Sequence, residues 1–169
     1  ASTIGHEITH GFDDEGRQFN EKGNLVSWWT KKDEEAFNQR AEVMVKQFND
    51  YEPVKGYHIN GKATLGENIA DLGGILLGIE AFKKTNQFKE GKKISNLTPM
   101  QRYFLGYALG WLDHSREEQL KNRLMTDVHS PAKYRVNGPF SDVDEFYNTF
   151  KIKRGSPMYR EVNLRVKIW

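Results

Sequence analysis

Apolar positions recur at helical spacing over most of the chain. The cleanest run is Ala36, Phe37, Ala41, Met44, Val45 and Phe48, which predicts a helix opened by Thr30 with Asp33 three residues on and ending near Asp50, before Pro53. A second helix is expected over 65–85, and it carries Gly66, Gly73, Gly74 and Gly78. Each internal glycine costs up to about 1 kcal/mol against alanine, so these predict close packing against another element. Thr98, Pro99 and Gln101 form a capping box for a helix running to about residue 114. Shorter helices follow over 115–124 and, opened by Ser141 with Asp144, up to Phe150. The first dozen residues also read as helix, interrupted by the polar stretch 13–16. Asn20, Gly23 and the pair Trp28-Trp29 mark a turn-rich passage. The Asn60-Gly61 pair predicts a small hairpin or turn over 57–62. Residues 126–138 read as loop, and the tail to Trp169 is mixed. The expectation is a mainly α domain with a little β hairpin or turn.

Composition narrows the class. The 169 residues are one domain's worth of chain, with 28% charged and 37% apolar residues. The formal charge of +2 comes from 25 basic and 23 acidic residues, too even a balance to indicate nucleic acid. No apolar run approaches the ~20 residues of a membrane helix. The chain has no cysteine, which excludes disulfides and thiolate ligands, so any metal must be held by His and carboxylates. Lack of cysteine does not fix the compartment.

The candidate chemistry starts at "GHEITHGFDDEG", residues 5–16. Positions i and i+4 share a helix face, so His6 and His10 can offer two imidazole nitrogens to one ion. Glu7 projects about 100° away, close enough to reach a water on that ion without ligating it. This is the arrangement of two zinc ligands plus a general base; the competing reading is a pair of surface histidines. A catalytic zinc needs a third ligand and an open position. In a His-x-x-Gly-x-x-His arrangement the glycine would fall at Asp13 and the third histidine at Gly16, and a glutamate 19 or 20 residues on would fall at Trp29 or Thr30; both fail. Glu34, Glu35 and Glu42 lie on an amphipathic helix and are expected to face solvent. Glu67, in "GENIAD", is the better candidate, because Asp71 lies four residues on and can accept the spare N–H of a ligating imidazole. The competing reading there is a helix N-terminus decorated with acids. A third cluster, "TDVHSPAKYR", offers His129 as an oxyanion donor, Asp127 to orient it, and Arg135 to bind a substrate carbonyl or carboxylate. His58 and His114 have no such context.

With "GENIADLGG", "TDVHSPAKYRVNGP" and a terminal Arg-rich run ending in Trp169, the first motif closely resembles the neprilysin and endothelin-converting-enzyme family of zinc metallopeptidases. The lack of cysteine resembles its bacterial oligopeptidase branch. The resemblance implies a thermolysin-like zincin (gluzincin) C-terminal catalytic lobe holding one Zn2+. It implies His6, His10 and Glu67 as ligands, Glu7 as base and Asp71 orienting a histidine ligand, His6 in particular. It further implies His129 stabilising the transition state beside Asp127, Arg135 binding substrate backbone, and Trp111 lining the pocket for the residue after the scissile bond. Family members are several times longer, so residues 1–169 are expected to be the C-terminal catalytic part of a longer peptidase acting on short peptides, with an N-terminal domain as its partner. The alternatives are a zinc-binding fragment inactive without that portion, and a non-catalytic interaction module.

Overall fold

A computed structural model describes residues 1–168; Trp169 lies outside the described residues. The helices in chain order are α1 (Ser2–Thr9), α2 (Lys31–Asn49), α3 (Leu65–Lys83), α4 (Asn86–Lys89), α5 (Pro99–Leu109), α6 (Glu117–Thr126), α7 (Ala132–Phe140) and α8 (Asp144–Phe150). Short 3-10 turns follow α1 at His10–Phe12 and lie at Gly16–Gln18 and Val162–Leu164. Among the described residues, β structure is confined to isolated bridges such as Phe19 with Leu25. No described helix is long and apolar enough to cross a membrane.

The architecture centres on α3. Its buried residues run round the whole helix, from Leu65 and Ile69 to Gly73, Ile75 and Ile79, because neighbours enclose it on several sides. On one side α2 lays down Phe37, Ala41, Met44, Val45 and Phe48. Beyond it, Phe104, Phe140 and Phe146 from α5, α7 and α8 pack with ring centroids 4.9–5.4 Å apart. On another side α1 lies directly on the glycines. A Cβ on Gly74 would stand 2.5 Å from the Ser2 carbonyl oxygen and 2.8 Å from the His6 nitrogen, and one on Gly73 would overlap the Thr9 side chain. The glycine-rich pattern therefore does what it predicts: it brings the histidine-bearing backbone onto the Glu67 helix.

Caps behave as expected at two starts. Thr30 Oγ1 accepts from the Asp33 amide at 3.2 Å, and Thr98 and Gln101 complete their reciprocal box at 3.2 and 2.9 Å. Elsewhere the structure corrects the reading. The segment 126–138 is not a loop throughout, since α6 runs to Thr126 and α7 occupies Ala132–Phe140. Gly138 and Pro139 mimic a breaker, but they fall in the final turn. The amide Pro139 lacks would have faced the Arg135 carbonyl, which instead accepts from the Tyr107 hydroxyl at 3.3 Å. Ser141 caps the end of α7, its Oγ donating to the Gly138 carbonyl, and Asp144 begins α8. Helix α5 stops at Leu109, short of residue 114, because Gly110, Trp111 and Leu112 close it with i to i−3 bonds. Of the hairpin or turn expected over 57–62, the structure has the turn: Asn60 Oδ1 accepts from the Lys62 and Ala63 amides and leads into α3. The single turn of α4, capped by Thr85, has no counterpart in the sequence pattern described above.

Candidate metal centre

Because α1 lies on α3, His6 and His10 face Glu67. The two Nε2 atoms are 3.0 Å apart, His6 Nε2 is 3.4 Å from Glu67 Oε2, and His10 Nε2 is 3.4 Å from Glu67 Oε1. Among the described residues these three form the one group of His, Asp and Glu donor atoms lying within 4.8 Å of one another. Glu34, Glu35 and Glu42 are not part of it; Glu34 instead pairs with Arg17 at 3.3 Å.

Each histidine is oriented from behind by its own carboxylate. His6 Nδ1 donates to Asp71 Oδ1 at 2.9 Å, as the i, i+4 spacing of Glu67 and Asp71 anticipated. His10 Nδ1 donates to Asp13 Oδ2 at 2.7 Å. Asp13 is buried, and its other oxygen accepts from the Glu15 and Gly16 amides at 2.9 and 2.7 Å. With both Nδ1 protons committed, the two Nε2 lone pairs converge on one point beside a carboxylate. Such a cluster of acceptors demands a cation or protons. In the metal-free chain His6 is accordingly raised from its ordinary 6.5 to about 9, by hydrogen bonds with Asp71 and then Glu67. Burial opposes ionisation of Glu67, yet contacts with His6, Arg135, His129 and His10 hold its carboxyl below the usual range.

The rim brings in the third motif. Ser130 Oγ donates to Asn68 Oδ1 at 2.8 Å, in the core, and so pins the residue after His129 to the residue after Glu67. His129 Nδ1 and amide both bond Asp127 Oδ1, at 2.7 and 2.9 Å, while Nε2 lies 3.3 Å from Glu67 Oε1. Burial pushes against the charge on Asp127, but the His129 amide and ring and then Arg123 keep its carboxyl below the ordinary value. Arg135 spends its fork on the site itself. Its Nε and Nη2 bond Asp71 at 2.7 and 2.9 Å, Nη2 also reaches Glu67 Oε2 at 3.0 Å, and the guanidinium lies 4.2 Å from the centre of the Trp111 ring. His6, His10, Glu67, Asp71, His129, Arg135 and Trp111 line one cleft of about 540 Å3, together with Glu7.

The sequence profile of peptidase family M13 matches residues 1–166. The chain belongs to this family. Endothelin-converting enzyme 1 of Rattus norvegicus is 43% identical over 92% of the chain, and human membrane metallo-endopeptidase-like 1 is 41% identical over 96%. Among solved structures, the Mycobacterium tuberculosis zinc metalloprotease Zmp1 in complex with an inhibitor superposes with a TM-score of 0.92, at 39% identity over 99% of the chain. PepO from Lactobacillus rhamnosis gives 0.87 at 36% identity, also over 99%. The chain spans only 21% and 22% of the two curated relatives and 26% and 25% of the two solved chains. Its helical architecture is thereby that of M13 peptidases of the zincin type. Animal and bacterial M13 proteins both stand among these relatives, so the expected bacterial branch is left undecided.

The M13 assignment implies zinc, and the donor set fits it: two imidazoles and a carboxylate are a familiar catalytic triad of ligands, with one side open to the cleft. In the sequence Asp13 is only the mismatch at the glycine position of a failed motif, and its hold on His10 goes unread. The signal was present, an aspartate three residues after a histidine and preceding Gly16. Asn68 and Ser130 go unread too, because their types are too common to stand out. His58 and His114 are exposed and stand apart from the cluster, as expected.

Proposed function

We propose that these 169 residues are the C-terminal catalytic part of a zinc-dependent endopeptidase that hydrolyses short peptides. The observation that carries this reading is the convergence of His6 Nε2, His10 Nε2 and the Glu67 carboxylate, each imidazole held from behind by an aspartate. One Zn2+ bound there would polarise a peptide carbonyl and acidify a water, toward a pKa of ~7. The chain's own residues supply the rest. Glu7, beside the triad in the cleft and not one of its ligands, takes the water's proton and delivers it to the leaving amine. His129 donates to the developing oxyanion. Asp127 holds its Nδ1 proton, so Nε2 donates only from the imidazolium form. Arg135 clamps Asp71 and Glu67 from below, keeping the ligand carboxylate and the orienting carboxylate in one geometry. Its substrate-binding role rests on the resemblance to the family and on its place in the cleft wall beside Trp111.

A second reading, that these residues alone bind zinc without turnover, is favoured by one observation. Ile4 and Ile8, four residues apart on α1 and outside the cleft lining, are 68% and 57% exposed. An apolar stripe of that kind is what a further part of the polypeptide would cover. Metal analysis and peptide hydrolysis test both readings. One zinc per chain, lost in Glu67→Ala, supports the site. Glu7→Gln that keeps zinc and loses hydrolysis supports the base, and robust turnover by residues 1–169 alone would refute the second reading. A chain that binds no zinc at neutral pH would overturn both.

A further inference from the structure

A side chain that must point in one direction is held by packing or by hydrogen bonds, and His129 has little of the first. Its side chain is 42% exposed, and that of Asp127 is 26% exposed. Helix α6, which ends where Asp127 begins, has no buried residue of its own. Downstream the loop is anchored, because Ser130 is pinned to Asn68 of α3. Upstream, hydrogen bonds have to do the same.

Arg123, in the last turn of α6, grips Asp127 by backbone and side chain together. Its carbonyl accepts from the Asp127 amide at 2.8 Å, and its Nε donates to Asp127 Oδ2 at 3.1 Å. Asp127 Oδ1 is already spent twice, on the His129 amide and on the His129 ring. The last torsion of an aspartate is soft and nearly two-fold. A carboxylate held at one oxygen can therefore swing, and the ring bound to it swings too. Held at both oxygens, one of them by a charge-assisted bond, it keeps one orientation.

The guanidinium is itself steered. Its Nη1 lies 3.9 Å from Asp113 Oδ2, an oxygen that accepts from the Ser115 hydroxyl at 2.7 Å in the segment leaving α5. Side chains of alternating type then lead inward from the surface: Asp113, Arg123, Asp127, His129 and the ligand candidate Glu67. Arg123 and His129 also line one small cavity of about 240 Å3 beside Trp111.

We propose that Arg123 is a positioning residue for the reaction: it fixes the Asp127 carboxylate and, through it, aims His129 Nε2 at the developing oxyanion. The proposal rests on the peptidase reading for what His129 does. Arg123 touches no reacting atom. A part-exposed pair of this kind adds little to stability, so its contribution is one of direction.

The test is Arg123→Met, which keeps an unbranched apolar stem and removes the guanidinium. Two ligands are compared calorimetrically on the zinc-loaded protein. One is a peptide phosphonate, whose charged oxygens stand where the oxyanion forms. The other is the matched peptide thiol, which holds zinc through sulfur alone. Arg123→Met is expected to weaken the phosphonate about tenfold, with thiol and zinc affinities within about twofold of the parent. The melting temperature is expected to be nearly unchanged. Where there is turnover, kcat falls by the same factor and KM stays. A second readout needs no metal. The His129 amide, bonded to Asp127 Oδ1, is expected to exchange with solvent about tenfold faster in Arg123→Met, while α3 amides exchange as in the parent. A phosphonate affinity unchanged within about twofold, or equal weakening of phosphonate and thiol, overturns the proposal. So does an unchanged exchange rate at His129. Failure of the unsubstituted protein to bind zinc would instead count against the peptidase reading, and amide exchange would still decide whether Arg123 holds the loop.

Discussion

At the scale of single residues, the site is a competition between a metal and a proton. His6 is raised from 6.5 to about 9 without the metal, chiefly by Asp71 and then Glu67. A folded-state value above the unfolded one contributes stability that is complete below 6.5 and lost as pH rises through about 9. Zinc must displace that proton. Its apparent affinity is therefore expected to climb between pH 6.5 and 9, by up to about tenfold per unit, and then to level off. Competition with a chromophoric chelator across this range measures the slope, and a flat profile would show that His6 carries no proton to displace. Asp13 gives a second prediction at this scale. Asp13→Asn keeps an oxygen for the Glu15 and Gly16 amides but removes the charge behind His10. Zinc affinity is expected to fall about tenfold or more with little change in stability. Equal affinity in the variant would mean that the Asp13 charge contributes nothing to His10 as a ligand.

At the scale of elements, the contact of α1 with α3 makes the site possible. Gly74→Ala should gain up to about 1 kcal/mol of helix propensity. The new methyl would sit 2.5 Å from the Ser2 oxygen and 2.8 Å from the His6 nitrogen, both backbone atoms that cannot rotate away. Overpacking of this kind costs typically about 1–3 kcal/mol, so a net loss in urea midpoint is expected, together with weaker zinc binding as His6 is pushed off Glu67. A Gly74→Ala protein that is more stable and binds zinc equally well would mean the helices have room to spare. The same contact explains what could be read beforehand. His6 and His10 were legible because their spacing is local, and Glu67 with Asp71 because one helix face carries both. The glycines told that α3 would be approached closely. The three-residue spacing of His10 and Asp13 is in the sequence, but their contact depends on the 3-10 turn His10–Phe12 and the bend after it, which the spacing alone does not give. Helix α7 was hidden because Gly138-Pro139 looks like a break until Tyr107, from another helix, satisfies the carbonyl that proline abandons. Arg135 is legible as a cation for substrate, but not as the partner of Asp71, sixty-four residues away in sequence, on which its fork closes; only the fold creates that contact.

At the scale of the whole molecule, the chain end returns to the core, and one buried acid clasps it. The Val166 amide donates to Asp142 Oδ1 at 2.9 Å, Val166 and Ile168 are buried, and the Ile168 carbonyl accepts from Arg40 of α2 at 3.0 Å. Tyr147 adds a second tie, its hydroxyl accepting from the Arg160 amide at 2.8 Å while Arg165 lies over its ring at 3.5 Å. Asp142 itself is poorly served. Arg160 Nε approaches Oδ1 at 3.3 Å without hydrogen-bond geometry, and Oδ2 is buried with no partner, as is Gln47 Oε1. Burial, outweighing the Val166 amide and the nearby arginines, pushes the Asp142 carboxyl from 3.8 up to about 6. The sign follows from the folded value lying above the unfolded one: stability is greatest below about 3.8 as far as this group is concerned, and is lost as pH rises through about 6. The displacement from 3.8 to about 6 corresponds to a penalty of about 3 kcal/mol at neutral pH. Asp142→Asn removes the charge, keeps an oxygen for the Val166 amide, and presents an amide N–H on the side where Oδ2 now has no partner. The variant is expected to be more stable than the parent at pH 7.5, by about 2–3 kcal/mol, and nearly equal to it at pH 4. Denaturant melts of both proteins at the two pH values decide the matter. A variant less stable at pH 7.5 would show that the arginines around Asp142 repay the buried charge in full, and that the return of the chain end is held by an ion pair.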